Sequence, residues 1–137
     1  MTAKEYLSQL RRLGYLIDHE ILEYSELMTM AEATSSPALK ERVQTSNVME
    51  PMDNVLEAVE ISKKIKDLQS QYIRMRRLIV DQIHSMDSAT YSNILYHRYV
   101  LGEKFGEIAA AIGHDYQYTV NMHGWALKAF QAQFLDE

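Results

Sequence analysis

The sequence has no cysteine, only two prolines and five glycines in 137 residues, and no lysine or arginine between Lys104 and Lys128. Without cysteine there is neither a disulfide nor a thiolate metal site. So few breakers leave helices little to interrupt them. No apolar run approaches the roughly 18 residues of a membrane span, and the start Met1-Thr2-Ala3-Lys4-Glu5-Tyr6 lacks the basic-then-apolar pattern of a secretory leader. The expectation is a cytoplasmic protein with no membrane partner. Phenylalanine and tryptophan are scarce beside nine tyrosines, so much of the aromatic surface carries a hydroxyl that needs a partner or water.

What is present is enough for a core: 47% of the residues are hydrophobic and 24% charged, which fits one folded domain, or one small domain with a helical extension. Residues 3–33 predict one long helix. Leu10, Ile17, Tyr24 and Ala31 recur every seventh position, Tyr6, Leu13 and Leu27 fill the intermediate one, and Leu7, Ile21 and Met28 widen the stripe. Glu20 interrupts that seam once. Periodicity then lapses over 34–51, a connection flanked by Pro37 and Pro51. A second long helix follows from Pro51 or Met52 to Met86, with Ala58, Ile65, Tyr72, Ile79 and Met86 at one heptad position and Ile61, Leu68 and Met75 at the other, Gln82 being the exception. Its basic cluster, Lys63, Lys64, Lys66, Arg74, Arg76 and Arg77, reads either as a phosphate- or polymerase-contacting face or as a solvated flank paired with Glu60, Asp67 and Asp81. There is no strand pattern and no internal repeat.

The last third is cut by Gly102 and Gly113 into three short helical pieces, after a break at 85–88 where Asp87 or Ser88 can cap. Ile94, Leu95, Tyr99 and Val100 form the apolar stripe of the first piece, Phe105, Ile108, Ala109 and Ile112 that of the second, and Thr119, Met122, Ala126, Leu127 and Phe130 that of the third. Ala109, Ala110 and Ala111 let the middle helix approach a neighbour closely, Gly113 suits a left-handed helix end, and Asp115 is placed as the next N-cap. The spacing is that of a helix-turn-helix.

The run Ile94-Leu95-Tyr96-His97-Arg98-Tyr99-Val100-Leu101-Gly102, then Glu107-Ile108-Ala109, Ile112-Gly113, Val120, His123-Gly124 and Ala126-Leu127, resembles the region-4 helix-turn-helix of bacterial sigma factors. More closely it resembles the small phage and prophage proteins with such a C-terminus, the ArpU-like late transcription regulators and related prophage proteins. Met1 to Leu7 and Lys40 to Ser46 fit that family as well. The heptads predict an all-α fold with a coiled-coil-like helical hairpin over 1–86, with loop 34–51, whose apolar stripe serves oligomerisation, and the resemblance adds a sigma-region-4-like helix-turn-helix domain over 87–137. It implies a prophage-encoded, DNA-binding transcription regulator of late or packaging genes in a bacterial host cell.

By position within that motif, Tyr116, Gln117, Val120, Asn121 and Gly124 face the major groove, Gln117 and Asn121 suit adenine, Val120 suits a thymine methyl, and Tyr116 and Tyr118 reach phosphate. Lys128 is the only basic residue of that helix. From Asp87 onward six acids (Asp87, Glu103, Glu107, Asp115, Asp136, Glu137) face three bases (Arg98, Lys104, Lys128), and the whole chain carries −5. Phosphate neutralisation dominates affinity for duplex DNA, so a lone module is expected to bind weakly. The alternative is an adaptor that keeps the fold and contacts bacterial RNA polymerase or a phage factor, and a third reading is a packaging subunit that assembles into rings. Trp125 is either an exposed anchor for a partner or one more core residue. The histidines, His19, His84, His97, His114 and His123, make no zinc-hydrolase spacing, and no nucleophile–base set is legible. No enzyme, cofactor or metal is therefore expected, and a homodimer through the hairpin is.

Overall fold

The computed structural model describes residues 1–35 and 51–136, and the expected loop 34–51 lies almost wholly outside them. The fold is all-α, with no strand among the described residues. Helix α1 spans Ala3–Ser35, α2 Pro51–His84, α3 Ala89–Leu95, α4 Phe105–Ile112 and α5 Tyr116–Phe130. Wider π-helical turns extend α3 over Tyr96–Val100 and α5 over Gln131–Leu135.

Each start has a local cause. At α1 the Glu5 amide donates to the Thr2 hydroxyl at 3.2 Å while the Glu5 carboxylate accepts from the Thr2 amide, a reciprocal capping box. Pro51 opens α2, where its missing N–H is not needed. Ser88 caps α3 by accepting from the Tyr91 amide at 3.2 Å, and Asp115 caps α5 by accepting from the Tyr118 amide at 2.7 Å. Gly113 ends α4 at φ +73°, and Gly102 turns the chain out of α3 at φ +72°, backbone that only glycine adopts without strain.

The chain divides into two compact units, one made of 1–13 with 72–137 and the other of 14–71. The sequence boundary at 86/87 thus differs from the division in space. In the first unit, Leu7 and Leu10 of α1 and Ile79 and Ile83 of α2 are buried in one cluster with Ile94, Leu95, Tyr99, Ile108, Met122, Ala126 and Phe130. The Tyr6 ring lies 5.8 Å from that of Phe130, and its hydroxyl donates to Gln82 Oε1 at 2.7 Å. Gln82 breaks the heptad because it receives this bond. The Ala3 amide donates to the side-chain oxygen of Gln131 at 2.6 Å, so the first turn of α1 is tied to the last turns of the chain. Three short helices leave stripes too narrow to close a core alone, and the ends of the long helices complete it.

The second unit is a thin seam. Ile17, Ala31 and Ala58 are buried, whereas Tyr24, Leu27, Met28, Ile61, Ile65 and Leu68 are half-buried. Glu20 interrupts the apolar pattern because it pairs with Lys64 Nζ at 2.8 Å across the two helices. Of the basic cluster, Lys63 also makes the expected solvated pair, with Glu60 at 3.2 Å, an exposed contact that contributes little. Two expectations fail. Ile21 is 41% exposed instead of widening the stripe, because a two-helix seam covers little more than its two heptad positions. Ala110 and Ala111 are exposed and only Ala109 is buried, since successive helical residues turn by about 100° and one of three faces the neighbour.

Candidate nucleic-acid interface

Helix α5 presents two faces. Thr119, Met122, Ala126 and Phe130 point into the core, at the three- and four-residue spacing of one helical side. Opposite them Gln117, Asn121 and Lys128 are exposed, with Val120 and Gly124 half-buried at the edge. Gln117 Nε2 donates to Asn121 Oδ1 at 3.1 Å, so one turn holds the two amides side by side. A side chain that offers both a donor and an acceptor can pair with the edge of adenine. A Cβ placed on Gly124 would meet nothing within 4 Å, which leaves the surface beside the amides open.

Tyr116 is 58% exposed and Tyr118 41%. Tyr118 packs on the His114 ring at 4.6 Å and meets the edge of Trp125 at 6.5 Å. Trp125 itself is 48% exposed, so its ring lies outward and is not one more core residue. All seven expected site residues therefore lie on or beside the outer face of α5.

The flank of α5 is fixed by polar contacts to the preceding turn. His123 Nε2 and the Tyr99 hydroxyl share a 2.7 Å hydrogen bond, and Phe105 meets the His123 ring edge-on at 4.9 Å. The Arg98 guanidinium lies 4.2 Å from the Phe105 ring centre and donates to the Glu103 carbonyl at 3.0 Å, while His97 Nδ1 pairs with Glu103 at 2.9 Å. These contacts hold the connector from α3 to α4 against α5. Burial, helped by the charges of Arg98 and Lys4, lowers the His123 pKa from 6.5 to about 4. Burial likewise pushes Tyr99 up to about 12, although Arg98 and Arg11 pull the other way. Both groups are held neutral.

Below pH 6.5 the unfolded chain binds a proton at His123 that the folded chain refuses until about pH 4, so this part of the stability is complete above 6.5 and is lost as pH falls through that window. Solvent screens the ring in part, and the loss is about 1–2 kcal/mol. A His123→Asn variant should show a flatter profile of denaturation midpoint between pH 7 and pH 4.5; an unchanged profile would place the titration elsewhere.

Sequence reasoning missed the basic residues that the fold brings to this unit. Lys4 and Arg11 of α1 lie close enough for their charges to act on His123 and Tyr99, and a Cβ on Gly102 would stand 3.1 Å from an Arg11 guanidinium nitrogen. Counted over 1–13 and 72–137, nine bases (Lys4, Arg11, Arg12, Arg74, Arg76, Arg77, Arg98, Lys104, Lys128) face eight acids (Glu5, Asp81, Asp87, Glu103, Glu107, Asp115, Asp136, Glu137), a net +1. Unit 14–71 then carries −6 of the chain's −5. The six acids against three bases of 87–137 stay within the first unit, where the bases of 1–13 and 72–86 offset them. The available signal was the pair Lys4 and Arg11, one heptad apart beside the buried Leu7 and Leu10.

Among the described residues no cluster of histidine, aspartate and glutamate has the geometry to hold a metal ion, and no helix is long and apolar enough to cross a membrane. No protein-family model matches the chain, and neither the curated proteins nor the solved structures include a significant match to it.

Proposed function

We propose that this chain is a DNA-binding transcription regulator of the prophage, sigma-region-4-like kind, in which α4, the turn at Gly113 and α5 act as a helix-turn-helix and α5 enters the major groove. The observation that carries it is the outward pair Gln117 and Asn121, joined side by side on a helix whose other face is locked into a core. The resemblance of the sequence supplies the kind of gene controlled, late or packaging genes, and the setting, the cytoplasm of a bacterial host.

Self-association belongs to the same proposal. Met52, Leu56 and Val59 are exposed at one-turn intervals on α2, an apolar face of the 14–71 unit beyond the seam itself, and a second copy there would give the two readers that paired half-sites need.

The test is a gel shift on the DNA upstream of the gene at low and moderate salt. The wild type should retard this fragment in preference to an unrelated one, and Gln117→Ala/Asn121→Ala should erase the preference by roughly tenfold or more, since each well-made amide–base pair discriminates by about 1–3 kcal/mol. Equal retention of both fragments by the double variant and the wild type would reject this role for α5. The adaptor reading draws on the exposed Tyr118–Trp125 pair, aromatic residues of the kind that anchor protein interfaces. Capture of RNA polymerase lost on Trp125→Ala, with no DNA shift, is its expected signature.

A further inference from the structure

We propose that α1 supplies a phosphate-binding strip alongside α5, with Lys4 and Arg11 contacting the backbone of the same duplex whose bases α5 reads; the inference rests on that reading. The N-terminal turn of α1 is fastened beside α5 by the Ala3–Gln131 hydrogen bond at 2.6 Å. There Lys4 and Lys128 line one surface depression of about 400 Å³, so the exposed lysine of α1 and the exposed lysine of α5 share a patch. Two turns further on, Arg11 lies against Gly102, at the turn that leads into α4 and its capping residue Lys104. The strip therefore runs from the last turns of α5 to the start of α4.

Its acidic neighbours keep their charge but are turned toward local donors: Glu5 accepts from the Thr2 amide, Glu103 pairs with His97, Glu107 reaches back to the Lys104 amide at 3.4 Å, and Asp136, which lines the same depression as Lys4 and Lys128, accepts from Gln131 Nε2 at 2.9 Å. Seven helical residues at 1.5 Å set Lys4 and Arg11 about 10 Å apart along α1, and their long side chains can reach separate phosphates of one strand. Duplex DNA is the occupant that this pair of cations beside α5 fits.

The experiment measures fluorescence anisotropy of a labelled 30-base-pair duplex from the upstream region against the whole protein over a series of salt concentrations. Each phosphate contact contributes about 0.9 to the slope of log affinity against log salt. Lys4→Gln/Arg11→Gln should lower that slope by nearly two and weaken binding more than tenfold at low salt, while the preference for the upstream duplex over an unrelated one persists. Lys4→Gln alone alters an exposed side chain and should remove about one, and Arg11→Lys should keep the slope. An unchanged slope in the double variant, with wild-type binding intact, overturns the strip and leaves the role of α5 standing. Absence of wild-type binding at every salt concentration overturns both.

Discussion

A fragment of residues 87–137 will not fold on its own. Expressed alone, it should give a far-ultraviolet circular dichroism spectrum of low helicity and melt without a cooperative transition, whereas the whole chain should melt cooperatively. The reason is the composition of the core: Leu7 and Leu10 come from α1 and Ile79 and Ile83 from α2, and all four are at most 1% exposed. Removing them strips the shared cluster of four side chains whose burial stabilises by about 1.5–3 kcal/mol each. That sum is comparable with the 5–15 kcal/mol by which a whole domain is typically stable. Helices as short as α4, with eight residues, cannot persist without tertiary support. A cooperative melt of the fragment would show that the three C-terminal helices close their own core and would return the boundary to 86/87.

Phe130→Ala is the single substitution with the largest expected loss. Phe130 is fully buried, its ring lies 4.7 Å from Phe134 and 5.8 Å from Tyr6, and it joins α5 to α1. Truncating such a side chain typically costs about 3–5 kcal/mol, partly as lost transfer energy and partly as the cavity left behind. For a unit of this size each kcal/mol lowers Tm by about 4–8 °C, so a fall of about 15 °C or more is expected by calorimetry. Trp125→Ala is the contrast, since an exposed ring on the same helix should alter stability by about 0.5 kcal/mol at most. Comparable losses in the two variants would mean that the core has been assigned to the wrong face of α5.

These two experiments bear on what could be read from the sequence. Both long helices, the three C-terminal pieces, the Ser88 and Asp115 caps and the outward position of Gln117 and Asn121 were legible, because helical period, capping and glycine turns are local properties. The two breaks in the heptads, Glu20 and Gln82, were legible as breaks but not as bonds; their partners Lys64 and Tyr6 lie 44 and 76 residues away. The same holds for the core that crosses the expected boundary. The spacing of Lys4 and Arg11 marks them as one face of α1 but not as neighbours of the C-terminal helices, so a charge count over consecutive residues left their two charges out.

The bond between Ala3 and Gln131 joins residues 128 positions apart, and this sets an order of events during synthesis. Leu7 and Leu10 leave the ribosome early, but their partners Met122, Ala126 and Phe130 follow more than 110 residues later, several seconds or more at ordinary translation rates. Until then Leu7 and Leu10 lack those partners, and the closing of so long a loop waits for residues 122–130. Helix α5 thus packs against α1 only once residues 122–130 have been made, and no shorter polypeptide presents it on its core.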